Sequence, residues 1–227
     1  MKLSYKIKKL GTGETYRRTW RRVERLIYPI RIQPLLDRLD QSQIRAIRER
    51  YSGSTEHYAK YADIERWLKL NARRVQDLKL HRSPPSSILD LGCGGGFFLY
   101  ILQQFGHAGL GTDIDEFPLF RELVELFQVQ RTIFRIEPFQ PLPDFGGKFD
   151  LITAFSTSFN RRSHLVWWGP DEWRYFLDDL KGHLRPHGRI FLGLNPDNTG
   201  SFYTPELQAC FRSYGAIIDR ENVTLVA

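Results

Sequence analysis

Ile88-Leu-Asp-Leu-Gly-Cys-Gly-Gly-Gly-Phe97 is the stretch whose reading decides the fold. An apolar run of strand type enters a turn with glycines at 92, 94 and 96, and a helix begins at once. Glycine at such a turn lets the backbone reverse tightly and come close to a ligand. The helix that follows offers unpaired N–H groups at its first turn. Strand, glycine turn and helix in that order place a ligand site at the carboxyl end of a strand in an open α/β sheet. The next strand ends Gly109-Leu-Gly-Thr-Asp113, so an acidic residue stands 21 positions after Gly92. A carboxylate there can accept hydrogen bonds from both hydroxyls of a ribose. A dinucleotide fingerprint needs G-x-G-x-x-G. Counting from Gly92 its last position is Phe97, and counting from Gly94 it is Leu99, so it fails in both registers. Asp90 at the strand end is likewise ill suited to a pyrophosphate and better suited to a cationic ligand.

Outward from this stretch, short apolar runs alternate with helical periodicity. Strands are predicted at 88–91, 108–113, 132–136, 149–154 and 189–194, with a closing hairpin of 216–218 and 223–226. Helices are predicted at 97–105, 118–127, 172–184 and 205–213. That alternation argues for a Rossmann-like, mostly parallel seven-stranded sheet with helices on both faces. Residues 1–82 read differently, as a helical extension. Tyr16, Trp20, Val23, Ile27 and Ile30 form one stripe at spacings of three and four, ended by Pro29. A second helical pattern runs from Leu35 to Tyr51, and a third is capped by Ser54 or Thr55. Ser83-Pro-Pro-Ser-Ser87 reads as a linker, dividing the chain into 1–82 and 83–227.

These residues resemble the class I S-adenosylmethionine (SAM)-dependent methyltransferases. The family's first motif is an apolar strand, an acid and G-x-G-x-G, present here as Asp90, Gly92, Gly94 and Gly96, with Cys93 inside the loop. Asp113 matches the ribose-binding acid and Ile114 the apolar residue beside the adenine. Lys148-Phe-Asp-Leu-Ile-Thr-Ala-Phe155 matches the fourth-strand motif, bringing in Ala154 and Phe155. Leu184-Arg-Pro-His-Gly-Arg-Ile190 matches the loop into the fifth strand, with His187 where the family has glycine. After the third strand this chain has Ile136-Glu-Pro-Phe-Gln-Pro-Leu-Pro143 instead of the family's Gly-Asp-Ala, which leaves Glu137, Pro138 or Phe139 as the border of the adenine. The resemblance covers residues 88–226 and implies SAM as cofactor and methyl transfer as the activity.

Transfer from a sulfonium is an in-line displacement, so catalysis rests mainly on holding donor and acceptor in line. A hydroxyl acceptor also needs a base. Residues 156–171 follow the fourth strand and are expected to overhang the methyl group. His164 is the candidate base there, the plainer alternative being a surface histidine, and Asn160 is a candidate to orient a polar group. Trp167, Trp168 and Trp173 could wall an acceptor pocket or pack the core, and Tyr58 and Tyr61 could form a lid or pack helices. Ala154-Phe-Ser-Thr157 stands where enzymes of exocyclic base amines carry Asn/Asp-Pro-Pro-Tyr. Neither Cys93 nor Cys210 is placed as a nucleophile, and Pro186 breaks the helix between His183 and His187, so no metal site is expected.

Two cysteines make no disulfide framework, and no apolar stretch nears the ~18 residues that span a bilayer. A cytoplasmic enzyme is the simple expectation. The net charge of +7 is unevenly spread: residues 1–82 hold 21 Lys and Arg against 9 Asp and Glu, a net of +12, and residues 83–227 hold 12 against 17, a net of −5. A basic half of this kind suits an anionic acceptor, a membrane surface or RNA. Three functions follow: methyl transfer to a small-molecule, sugar or lipid-linked acceptor, RNA methylation through the basic helices, or SAM binding without turnover.

Overall fold

The computed structural model describes residues 14–160, 167–197 and 199–226. Helix α1 (Glu14–Ile27) opens the described chain, followed by α2 (Gln33–Asp37), α3 (Gln41–Tyr51), a 3₁₀ turn at Ala59–Ala62, and α4 (Ile64–Asp77). The one helix expected from Leu35 to Tyr51 is two. Asp40 interrupts it, its carboxylate accepting the N–H groups of Ser42 and Gln43 at 2.8 and 3.1 Å as the N-cap of α3. The third helix begins at Ile64 rather than near Ser54, because Asp63 caps it through the Arg66 N–H at 3.2 Å.

The remaining elements are β1 (Ser87–Leu91), α5 (Phe97–Gln104), β2 (Ala108–Asp113), α6 (Pro118–Phe127), β3 (Gln130–Ile133), β4 (Phe149–Thr157), α7 (Pro170–Gly182), β5 (Leu184–Leu194), α8 (Pro205–Ser213), β6 (Ile217–Asp219) and β7 (Asn222–Val226). They build one seven-stranded sheet in the order β3-β2-β1-β4-β5-β7-β6, in which only β7 runs antiparallel to its neighbours. β3 ends three residues before its expected limit, and β5 begins at Leu184 instead of Arg189. That early start uses an irregularity in the β4–β5 pairing between Phe149 and Leu151. His187, in place of the family's glycine, takes the left-handed φ of 64° there.

Alternation along β1 divides the core. Ile88 joins the cluster on one face with Leu68, Val75, Phe98, Leu99 and Leu123, while Leu89 and Leu91 join Ile152, Trp173, Phe176 and Leu177 on the other. The first cluster also takes in Leu35, Ile44 and Ile47, so the N-terminal helices and the sheet share packing across Ser83–Ser87. Trp168 and Trp173 are core, 3% and 0% exposed, stacked edge-on at 5.5 Å. They pack with Phe176 and Phe211, the core side of the two alternatives. α5 lies hard against β2: a Cβ on Gly111 would stand 2.5 Å from Cys93 Sγ and 2.7 Å from Leu99 Cδ1.

Candidate active site

The strand order reverses between β1 and β4, which is where open α/β sheets bind ligands, outside the carboxyl ends of the strands. A cavity of about 1040 Å³ occupies that place. Its floor is Asp90 to Gly95 at the end of β1, Thr112 to Ile114 at the end of β2, and Phe155 and Ser156 at the end of β4.

The glycine turn is held open from below. Gly92 and Cys93 both donate their N–H to the Thr112 carbonyl, at 2.7 and 3.0 Å, so β1 and β2 are stitched at the turn itself. Gly92 and Gly94 have φ of 71° and 56°, left-handed values that disfavour any side chain. Gly94 donates its N–H to Asp113 Oδ2 at 2.6 Å. Burial pushes the Asp113 carboxyl up, opposed by the N–H bonds from Gly94 and Ile114 and by the Arg131 charge.

Asp90 is 4% exposed. Thr153 Oγ1 donates to its Oδ1 at 2.7 Å. Burial drives its pKa up to about 7, against the Thr153 bond and the Arg74 charge. Cys93 lines the same floor, and burial raises its thiol well above the ordinary range, which disfavours the thiolate.

The roof comes from the N-terminal helices. Tyr58, Tyr61, Asn71 and Arg74 all line the cavity. Arg74 donates to Asn71 Oδ1 at 2.9 Å and to Ser156 Oγ at 3.2 Å, and its guanidinium lies 4.4 Å from the centre of the Phe155 ring. Burial pulls the Arg74 pKa down while Asp90 holds it up. Ser156 carries a left-handed φ of 53°, and its carbonyl accepts from Asn195 Nδ2 at 2.9 Å, so β4 ends in a constrained turn at the cavity.

Of the residues expected from sequence, Asp90, Gly92, Cys93, Gly94, Asp113, Ile114, Pro138 and Phe155 line this one cavity, as does Glu137. Gly96, Phe139 and Ala154 lie off it. Gly96 caps α5, and a Cβ there would stand 2.5 Å from Val129 Cγ2, so its glycine serves helix packing. Phe139 is half exposed and rests on Tyr175 with ring centres 5.8 Å apart. Ala154 is fully buried in the second core cluster. Asn160 is 4% exposed, accepts the Trp168 N–H at 2.9 Å through its carbonyl, and is not a lining residue. His164 lies outside the described residues. Arg74, Asn71 and Asn195 escaped the sequence reading, whereas Ser156 opens the stretch 156–171 that was expected to overhang the methyl group. The three sit where no motif points to them, and only the helical spacing of Asn71 and Arg74 hinted at a shared face.

The residues present suit SAM. Left-handed glycines leave room against the turn, a carboxylate ends β2, and a buried acid, Asp90, and an aromatic ring, Phe155, line the same cavity and suit a cationic group. Among the described residues no group of His, Cys, Asp and Glu could hold a metal, and no helix is long and apolar enough to cross a membrane.

Residues 89–192 match the family model described as a methyltransferase domain. A curated relative, the tRNA U34 carboxymethyltransferase of Campylobacter hominis, is 28% identical over 108 residues, 46% of this chain. The match spans about a third of that protein's length, 34%. Among solved structures, DesVI of Streptomyces venezuelae superposes with a TM-score of 0.53 at 12% identity, over 83% of this chain and 99% of that one. SAM-bound CalS10, an amino pentose methyltransferase from Micromonospora echinaspora, gives a TM-score of 0.41 at 20% identity over 72% and 58%. Over residues 89–192, within a sheet of this order, the chain matches a methyltransferase domain.

Proposed function

We propose that the chain methylates a small-molecule, sugar or lipid-linked acceptor, with residues 83–227 holding the donor and the helices of 1–82 covering it. The observation that carries this reading is the single cavity joining the glycine turn to the end of β4. Its volume of about 1040 Å³ lies at the top of the roughly 300–1,000 Å³ usual for ligand sites, enough for a donor and a modest acceptor together.

Asp113 accepts from the ribose hydroxyls, and Ile114 with Pro138 borders the adenine. The backbone at Gly92 and Gly94 approaches the donor without side chains in the way. Arg74, steadied by Asn71, binds the carboxylate of the amino-acid end, and Asp90 faces its cationic part. When bound, SAM supplies a methyl group already activated by its sulfonium. Phe155, Ser156, Phe159 and Asn195 then hold the acceptor in line, excluding water on the apolar side and offering hydroxyl and amide on the other. For a hydroxyl acceptor the base is His164.

The curated relative's action on tRNA and the net +12 of residues 1–82 favour a second reading, RNA methylation. Labelled SAM incubated with the protein and a cell extract separates the two. Label in the small-molecule or lipid fraction supports the first, label in RNA alone supports the second, and failure to bind SAM by calorimetry overturns both.

A further inference from the structure

Helix α1 is amphipathic, and Glu24 and Arg25 near its end face the body of the protein. Arg25 grips Asp77 on α4 through three hydrogen bonds of 2.6, 2.7 and 3.0 Å. Glu24 pairs with Arg82 and lies 3.5 Å from Lys79 Nζ. Gln76 Nε2 donates to the Tyr28 carbonyl at 2.8 Å, and the Arg82 guanidinium covers the Tyr28 ring at 4.5 Å. Just past the helix, Ile30 and Ile32 pack onto the core. The helix is thus fastened to the body by ion pairs and by its C-terminal continuation.

The opposite face is apolar and open. Trp20, Val23, Leu26 and Ile27 are 51%, 38%, 81% and 58% exposed. Trp20, Val23 and Ile27 fall at spacings of three and four, one stripe of the helix, with Leu26 beside it. A stripe of that kind ordinarily faces a core. Here the core side is taken by Glu24 and Arg25, so packing among the described residues does not explain the stripe. The same helix carries Arg17, Arg18, Arg21, Arg22 and Arg25 against Glu14 and Glu24, a net of +3.

We infer that this face is a docking surface for an anionic membrane, lying in the interface with Trp20, Val23, Leu26 and Ile27 toward the acyl chains. An Arg-rich helix with a Trp and branched aliphatics on one side has the composition of an interfacial anchor. Anionic lipid meets both properties of the helix at once, since its head groups answer the arginines and its acyl chains take the stripe. RNA phosphates would engage the arginines but leave the apolar stripe in water. A second copy would cover the stripe but bring a like-charged helix against it. The surface lies outside the cofactor cavity, so the inference stands or falls independently of the methyl acceptor.

The test uses the full chain with vesicles of phosphatidylcholine alone and of phosphatidylcholine with one quarter phosphatidylglycerol, read by co-sedimentation. Binding to the anionic vesicles and weak binding to the neutral ones are expected. Trp20→Ser with Leu26→Ser, two exposed positions that leave the clasp intact, is expected to weaken anionic-vesicle binding by about tenfold or more, because the two side chains supply much of the apolar area that the acyl chains would take up. Arg18→Glu with Arg22→Glu is expected to weaken it as well, with the wild-type binding falling at high salt. SAM affinity of both variants is expected to match the wild type. The inference is overturned if the anionic vesicles are not bound, or if the serine variant binds them as well as wild type does. It is equally overturned if that variant instead abolishes a dimer seen by light scattering, or if only RNA binding responds to the arginine reversal.

Discussion

Asp113 Oδ2 accepts the backbone N–H of Gly94 at 2.6 Å, so the acid that ends β2 is bonded directly to the turn that follows β1. One carboxylate therefore has two duties: it shapes the glycine turn, and its remaining lone pairs face the cavity. Asp113→Ala is expected to weaken SAM binding by roughly 1.5–3 kcal/mol for each charge-assisted bond lost. Calorimetric titration of the folded variant reads this directly. Unchanged affinity would put the ribose elsewhere.

Gly94→Val tests the turn itself. The residue has φ of +56°, and a Cβ there would lie 3.5 Å from Phe120 Cε2, an ordinary contact. Space behind the turn is thus adequate for one carbon, and the cost comes from the left-handed backbone and from branched carbons projecting toward the ligand. Cofactor binding is expected to vanish while the thermal midpoint falls only modestly. A variant that binds SAM normally would remove this loop from the site.

Asp90 makes both stability and binding depend on pH. Its folded pKa is raised from 3.8 to about 7, chiefly by burial. Between those values the folded chain holds a proton that the unfolded chain has released, so this residue's contribution to stability declines as pH rises through that window. Denaturant titrations are expected to show a decline that Asp90→Asn removes. A cationic ligand favours the ionised carboxyl, so SAM affinity is expected to rise as pH passes upward through about 7 in the wild type and to stay flat in Asp90→Asn. A flat wild-type profile would mean that Asp90 does not face the cation.

Arg74→Met keeps an apolar stem beside Phe155 and deletes the donors to Asn71 and Ser156. If Arg74 binds the carboxylate of the amino-acid end, SAM and its demethylated product should lose affinity together, by about tenfold or more for a charge-assisted pair. Loss confined to the KM of the acceptor would move Arg74 to the acceptor side.

Gly111→Val probes packing with no ligand involved. A Cβ would press on Cys93 Sγ at 2.5 Å and Leu99 Cδ1 at 2.7 Å, both on buried elements. Overpacking of this kind costs typically about 1–3 kcal/mol, so a clear drop in Tm is expected in the absence of cofactor. A variant as stable as the wild type would show that α5 can move off β2.

What the sequence alone determined is local in origin. Residues 88–97 carry their strand, turn and helix within one short span, because glycine spacing and apolar runs act on neighbouring backbone. From that span came the position of the ligand turn, while the alternation of strands and helices after residue 87 pointed to the parallel sheet and the end of the next strand singled out Asp113. The fold and the methyltransferase family were legible for this reason. Tertiary structure alone decided matters that depend on which surfaces meet. It packed Gly96 beside Val129, off the lining of the cavity. It buried Trp168 and Trp173 among Phe176 and Phe211, where tryptophan's apolar area gains most. It brought Arg74, a residue the helical pattern did not single out, to Ser156 across 82 positions of chain. It also turned α1 over. Periodicity sorts a helix into two faces without saying which one the body will hold, and here Asp77, Gln76 and Arg82 bind the polar side, leaving Trp20 and Leu26 to the outside.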